Sequence, residues 1–154
     1  MDLDERMIRQ AIIEAEKALE VGDVPIGAVI VHKERIIGRG HNQRELLQDP
    51  TAHAEMIALT AAAAELGTWR FTGCTIYVTL EPCPMCAGAL VQARIDRLVY
   101  GADDPKAGAC GSVYNIVEDD RLNHLVKVDR GNMANECAHL LKEFFTQQRA
   151  MGKK

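Results

Sequence analysis

The sequence predicts an α/β sandwich whose strands are at least partly parallel. Three observations carry that prediction. Segments with helical periodicity alternate with short runs rich in β-branched residues along the whole chain, the order that packs helices onto a sheet. Hydrophobic residues make up 47% of the 154 residues and charged residues 26%, a balance that builds a core rather than a disordered tail. Nothing in the chain reads as a linker, an internal repeat or a low-complexity tract, so residues 1–154 read as a single domain.

Residues 4–20 predict an amphipathic helix, because Ile8, Ala11, Ile12, Ala15 and Leu19 recur one or two turns apart. Gly22 and Asp23 end it. "IGAVIVH" (26–32) is β-branched and predicts a strand; "KER" turns the chain, and "IIGRGHN" (36–42) returns as a second strand, giving a hairpin. Residues 43–52 read as a polar loop, and 53–66 as a helix closed by Gly67. "CTIYVTL" (74–80) predicts a third strand, 84–94 a helix, and "DRLVYGA" (96–102) a fourth strand. A loop of glycines and small residues spans 103–115, "HLVKVD" (124–129) predicts a last strand, and 132–150 a long final helix.

Composition also excludes function classes. With 18 basic against 22 acidic residues the net charge is -4, which argues against gripping a nucleic-acid duplex through a basic face. A short single strand held at one local site remains open, since four of the five charged residues from Lys142 onward are basic. No apolar run approaches the length of a membrane span. The opening "MDLDERMIRQ" is acidic and polar, unlike a signal peptide, so the expected location is cytoplasmic. Five cysteines, an odd number, do not read as a disulfide framework in that compartment.

Two short stretches carry chemistry. In "PCPMC", Pro84 favours the first position of a helix, which puts Cys83 at the N-cap and Cys86 at N3. Those two positions face one another, so both sulfurs can converge on one point at the positive end of the helix dipole, where thiolates are favoured. Taken alone, the pair also fits a redox dithiol, half of a structural zinc site, or two packed thiols. A structural four-cysteine site needs a second close pair, which Cys74, Cys110 and Cys137 do not provide. In "TAHAEMIAL", residues two apart on a regular helix point about 200° away from one another. His53 and Glu55 can therefore serve one site only if His53 lies at the irregular start of the helix. Taken alone, this pair reads as a helix cap with an acid complementing the dipole. Together, one histidine and two cysteines supply three protein ligands of zinc's preferred kinds and leave a fourth position open, the catalytic pattern. Glu55 then stands beside the metal as a general base without binding it. The remaining cysteines read as packing residues, and His32, His41, His124 and His139 have no ligand-like spacing to the thiols.

"HAE" at 53–55 with "PCPMC" at 82–86 resembles the established H-x-E…P-C-x-x-C signature of the zinc-dependent cytidine and nucleobase deaminases. Within that superfamily, "VPIGAVIV", "GHNQ", "DPTAHAEMIAL", "TLEPCPMCAGAL", "VYGADDPKAGACGS" and "ECAHLLKEFF" resemble the bacterial tRNA-specific adenosine deaminases over nearly the whole chain. The resemblance implies a three-layer α/β/α cytidine-deaminase-like fold with a central mixed five-stranded sheet. It implies one zinc per chain on His53, Cys83 and Cys86, and hydrolytic deamination at adenine C6 by zinc-activated hydroxide with Glu55 shuttling protons. Its implied substrate is adenosine at the wobble position of an arginine tRNA anticodon, converted to inosine. Substrate contacts are implied at Asn42, the backbone around Ala54 and Pro82, Asp104, Lys106 and Phe145, the last as a base-stacking aromatic. Asn42 also reads as a turn residue, and the Asp104–Lys106 stretch as a solvated charged turn. Arg149, Lys153 and Lys154 would add attraction for phosphate. Family members form homodimers, so a dimer is expected, with no membrane and no DNA partner. Alternatives are a deaminase of free guanine, cytosine or a nucleotide on the same fold, and a non-catalytic zinc domain that only binds RNA. Glu55 speaks against the second, since zinc binding alone does not need it.

Overall fold

The computed structural model describes residues 1–152. Helix α1 (Leu3–Glu20) starts where Asp2 accepts a hydrogen bond from the Glu5 amide at 2.8 Å, an N-cap with Asp4 and Glu5 in the first turn. Strand β1 (Gly27–His32) and strand β2 (Arg35–His41) form the expected hairpin; Lys33 and Glu34 both take positive φ at its turn. After β2 comes α2 (Arg44–Leu47), a single turn where the sequence predicts only loop. It is too short to show a period, and its Glu45 amide is satisfied by the distant carboxylate of Asp23, at 2.9 Å. Helix α3 (Ala54–Leu66) ends at Gly67 in the left-handed region, as the sequence indicates.

Strand β3 (Cys74–Leu80) has the predicted bounds. Helix α4 (Pro84–Gln92) stops short of 94 because Arg94 turns to positive φ. Strand β4 (Arg97–Ala102) follows. Strand β5 (Lys127–Arg130) begins three residues after the predicted start. The residues before it are spent in loop contacts: His124 meets the Ile95 carbonyl and the Val126 amide bonds to Val117. Helix α5 (Ala134–Ala150) likewise starts late, since Met133 sits in the left-handed region.

The sheet order is β2-β1-β3-β4-β5. β1 runs antiparallel to β2 and β3, while β3, β4 and β5 are mutually parallel, so the sheet is mixed. Helix α4 supplies the crossover between β3 and β4. Alternation along the strands feeds two cores. Ala28, Ile30, Ile76, Val78, Leu98 and Tyr100 pack with Ala54, Ala58 and Ala62 of α3 and Ala87, Leu90 and Val91 of α4. Val29, Val31, Tyr77 and Val99 pack with Met7 and Ile8 of α1 and Cys137 of α5. The result is helix, sheet, helix in three layers, which explains why β1, β3 and β4 are buried on both faces.

The face that α1 turns inward includes Ile8, Ala11 and Ala15 as predicted, but it ends on Ala18, and Leu19 is left 36% exposed. Small residues set the spacing of the layers. A Cβ on Gly40 of β2 would collide with the Ala54 carbonyl oxygen and stand 2.7 Å from the Ala58 amide nitrogen. The first turn of α3 therefore lies directly against the strand.

Candidate active site

The site forms beyond the carboxyl ends of the parallel strands β3 and β4, where α/β sheets place their ligand crevices. Two helix N-termini converge there. His53 is the N-cap residue of α3, with extended backbone (φ -80, ψ 151), so its side chain escapes the regular helical spacing and lies beside Glu55. Cys83 is the N-cap residue of α4, also extended, Pro84 follows it, and Cys86 is at N3.

His53 Nδ1 lies 3.7 Å from Cys83 Sγ and 3.6 Å from Cys86 Sγ, and the three ligand atoms lie within 4.8 Å of one another. A tetrahedral zinc with bonds of ~2.0–2.1 Å to nitrogen and ~2.3 Å to sulfur requires N···S separations of ~3.6 Å. The three residues therefore fit a metal without rearrangement, and among the described residues these three are the ligands that converge. The electrostatics agree. The thiol of Cys86, and behind it His53, stabilise a thiolate on Cys83 and pull it down to about 4 against the opposing effect of burial. His53 is raised, chiefly by Cys83. Cys86 is pushed far up by holding its proton toward Cys83 and by burial.

Glu55, only 4% exposed, is pushed up to about 7, with burial as the largest cause and the Cys83 thiolate adding to it. A buried carboxyl whose pKa lies near neutrality suits proton transfer.

A pocket of ≈ 530 Å³ opens over these groups. Its wall brings His53, Glu55 and Cys83 together with Asp104, Lys106 and Phe145 of the predicted substrate set, and with Arg149. Phe145 is 41% exposed, while Phe144 beside it is 8% exposed and packs inward, so the two adjacent aromatics divide as the sequence requires. Lys153 and Lys154 lie outside the described residues.

Other predicted residues support the wall without forming it. Asn42 is buried, and its carbonyl oxygen accepts a hydrogen bond from the Ala54 amide at 2.9 Å, tying the end of β2 to the first residue of α3. Ala54 is fully buried. The Pro82 carbonyl accepts from the Ala109 amide at 2.8 Å. Asp104 spends one carboxylate oxygen on the amides of Lys106 and Ala107, at 3.1 and 3.2 Å, so part of its charge shapes its own loop.

Sequence reasoning missed several wall residues. Arg44 of α2 lines the pocket, its Nε 3.6 Å from the buried Asp23 carboxylate. Asp103 lines it too and accepts from the Tyr100 hydroxyl at 2.8 Å. Glu81 is a third: an acid closing an otherwise apolar strand, directly before Pro82 and Cys83, was the available signal. Its carboxyl would be raised by burial, but hydrogen bonds from Ser112, Asp104 and Cys110 outweigh this and lower it.

The MafB19-like deaminase family matches residues 2–149 of the chain. The tRNA-specific adenosine deaminase of Bacillus subtilis (strain 168) is 50% identical over 97% of this chain and 92% of its own length. That of Haemophilus influenzae is 47% identical over 96% of this chain and 86% of its own. A solved structure from work on A-to-I editing by tRNA:A34 deaminases superposes with a TM-score of 0.85 at 43% identity, covering 88% of this chain and 99% of that one. A guanine deaminase from Bacillus subtilis superposes with a TM-score of 0.63 at 37% identity, over 70% and 69%. A metal-ready triad beside a buried carboxylate is what a deaminase needs, and the matches run over nearly the whole chain: it belongs to the MafB19-like deaminases and, among them, to the bacterial tRNA-specific adenosine deaminases.

Proposed function

We infer that the protein hydrolytically deaminates adenosine to inosine at the wobble position of a tRNA anticodon. The observation that carries this reading is the pairing of the His53, Cys83 and Cys86 cluster with a buried Glu55 on one pocket wall. The names of the relatives support the substrate. The finer identity, an arginine tRNA, rests on the resemblance of the motifs alone.

His53 Nδ1 and the two sulfurs would hold one zinc ion; bound there, zinc supplies a Lewis acid that brings a water's pKa toward neutrality. Glu55 takes one proton from the attacking water at its buried carboxylate and passes it to the purine N1, then takes the second from the new C6 hydroxyl and passes it to the departing amine, which leaves as ammonia. Asn42 has its carbonyl oxygen committed to Ala54, so any contact it makes with the purine comes from its amide nitrogen. Phe145 offers an exposed ring to a flanking base, and Lys106 and Arg149 stand at the same wall for phosphates. Adenine C6 is shielded inside a duplex, so the substrate must be an unpaired base turned outward, as an anticodon loop presents it. A second copy of the chain completing the substrate surface is part of this reading, and light scattering at micromolar concentration should give the mass of a dimer.

Free purine is the second reading, favoured by the guanine deaminase neighbour. One assay separates the two: inosine formation from an anticodon stem-loop, a perfect duplex and free adenosine, beside guanine turnover. The stem-loop should be the good substrate. Equal rates on free adenosine, or faster turnover of guanine, would reassign the enzyme.

A further inference from the structure

One buried carboxylate holds the loop that walls the pocket. Glu81 is 2% exposed. Its Oε1 accepts from the Asp104 amide at 3.0 Å and from the Ser112 hydroxyl. Its Oε2 accepts from the amides of Cys110 and Ser112, each at 3.0 Å. The donors come from both ends of the 104–112 segment, so the loop wraps the carboxylate. Gly108, in its middle, lies so close that a Cβ would collide with the carboxyl. Among the described residues no lysine or arginine pairs with Glu81; backbone and hydroxyl donors alone compensate the buried charge.

The relay continues outward. The amide of Asp104 is fixed by Glu81, and the carboxylate of Asp104 then accepts from the amides of Lys106 and Ala107. In the other direction along the chain, Glu81 is separated from Cys83 only by Pro82, whose carbonyl bonds to Ala109 of the same loop. One short stretch thus carries a metal ligand and the anchor of the substrate wall.

We propose that Glu81 is a positioning residue: it sets the place of Asp104 and Lys106 over the metal triad, and so governs how well substrate is held. This rests on the deaminase reading above. Glu81→Gln is the informative variant because it keeps the shape. Its amide group cannot face the two N–H donors at Oε2, so its carbonyl oxygen turns to Cys110 and Ser112. The amide group then faces Ser112, whose hydroxyl can turn round and accept, and the Asp104 N–H, which cannot. The lesion falls on Asp104.

The test follows metal content, amide hydrogen exchange and steady-state kinetics on the anticodon stem-loop. Glu81→Gln should keep wild-type metal content and unchanged exchange over residues 84–92, while residues 103–107 exchange faster. KM should rise about tenfold for one lost charge-assisted hydrogen bond, with kcat within about twofold. Gly108→Ala, pressing on the same carboxyl from the loop side, should raise KM likewise, and it carries the test if Glu81→Gln does not fold. Unchanged exchange over 103–107, or metal loss with a collapse of kcat at constant KM, would overturn the proposal. Absence of inosine from the wild-type protein would sink the deaminase reading instead, and the exchange pattern would still decide whether Glu81 holds the loop.

Discussion

Glu55 stands two residues from a ligand yet contributes no atom to the ligand cluster, so binding and catalysis separate by substitution. Glu55→Ala should retain one metal per chain and lose essentially all turnover, because the other buried carboxylate of this wall, Glu81, has both oxygens committed to loop donors. Substantial residual inosine formation would remove it from the mechanism. Cys83→Ala with Cys86→Ala should abolish metal retention by elemental analysis. Phe145→Ala should weaken stem-loop binding by roughly 1–3 kcal/mol if a base stacks on its ring, measured by titration at fixed salt. The triad and Glu55 were legible in the sequence because their chemistry is tied to short spacings: Pro84 fixes Cys83 and Cys86 at a helix start, and the H-x-E step requires His53 to leave the regular helix; Phe145 came from the family resemblance alone. Glu81 and Arg44 were not legible. Their roles depend on donors 23 to 31 residues away in one case and on Asp23 in the other, and no local spacing encodes such a partner.

At the level of elements, the placement of His53 is inherited from the contact between β2 and α3. Gly40 permits that contact, and the Asn42–Ala54 hydrogen bond locks it. Gly40→Ala should push the helix start away from the strand, costing about 1–3 kcal/mol as overpacking does, with a parallel loss of metal affinity. Chemical denaturation and a competitive metal titration would measure both; full stability with full affinity would show that α3 can shift freely. Strand β3 and helix α3 could be read nearly to the residue because alternation or a closing glycine marks their ends. Strand β5 could not, since His124 and Val126 belong to the same apolar run but are drawn into loop bonds that only the folded chain offers.

For the whole molecule, the lowered carboxylates that are themselves largely buried or held in ion pairs between elements, Asp4, Glu14 and Glu81 among them, tie stability to pH. Arg97, ahead of Tyr77, lowers Asp4 against burial. Burial raises Glu14, but Lys17, His41 and Arg39 together outweigh it and leave it lowered. Glu81 is lowered by its loop donors in the same way. Each binds fewer protons folded than unfolded below the ordinary carboxylate value of about 4. Their contribution is therefore complete above that value and is lost as pH falls through the depressed ones. The melting temperature should drop steeply on acidification below about pH 4. In Glu14→Gln the drop should be shallower. An unchanged slope would show that Glu14 does not take part. No helix among the described residues is long and apolar enough to cross a membrane, and the charge of -4 predicts only a modest salt dependence of RNA binding.

The ligands of the metal cluster straddle β3: His53 precedes that strand, and Cys83 and Cys86 follow it, 30 and 33 residues away. The cluster cannot close until β3 has docked beside β1 and brought both helix starts to one edge. A metal held there would be a late clasp rather than a nucleus. It should leave the refolding rate nearly untouched and slow unfolding, because a bond formed after the transition state acts on the unfolding limb alone. Stopped-flow refolding and unfolding with zinc and with chelator would separate the two limbs, and a refolding rate that climbs with zinc would place the clasp early.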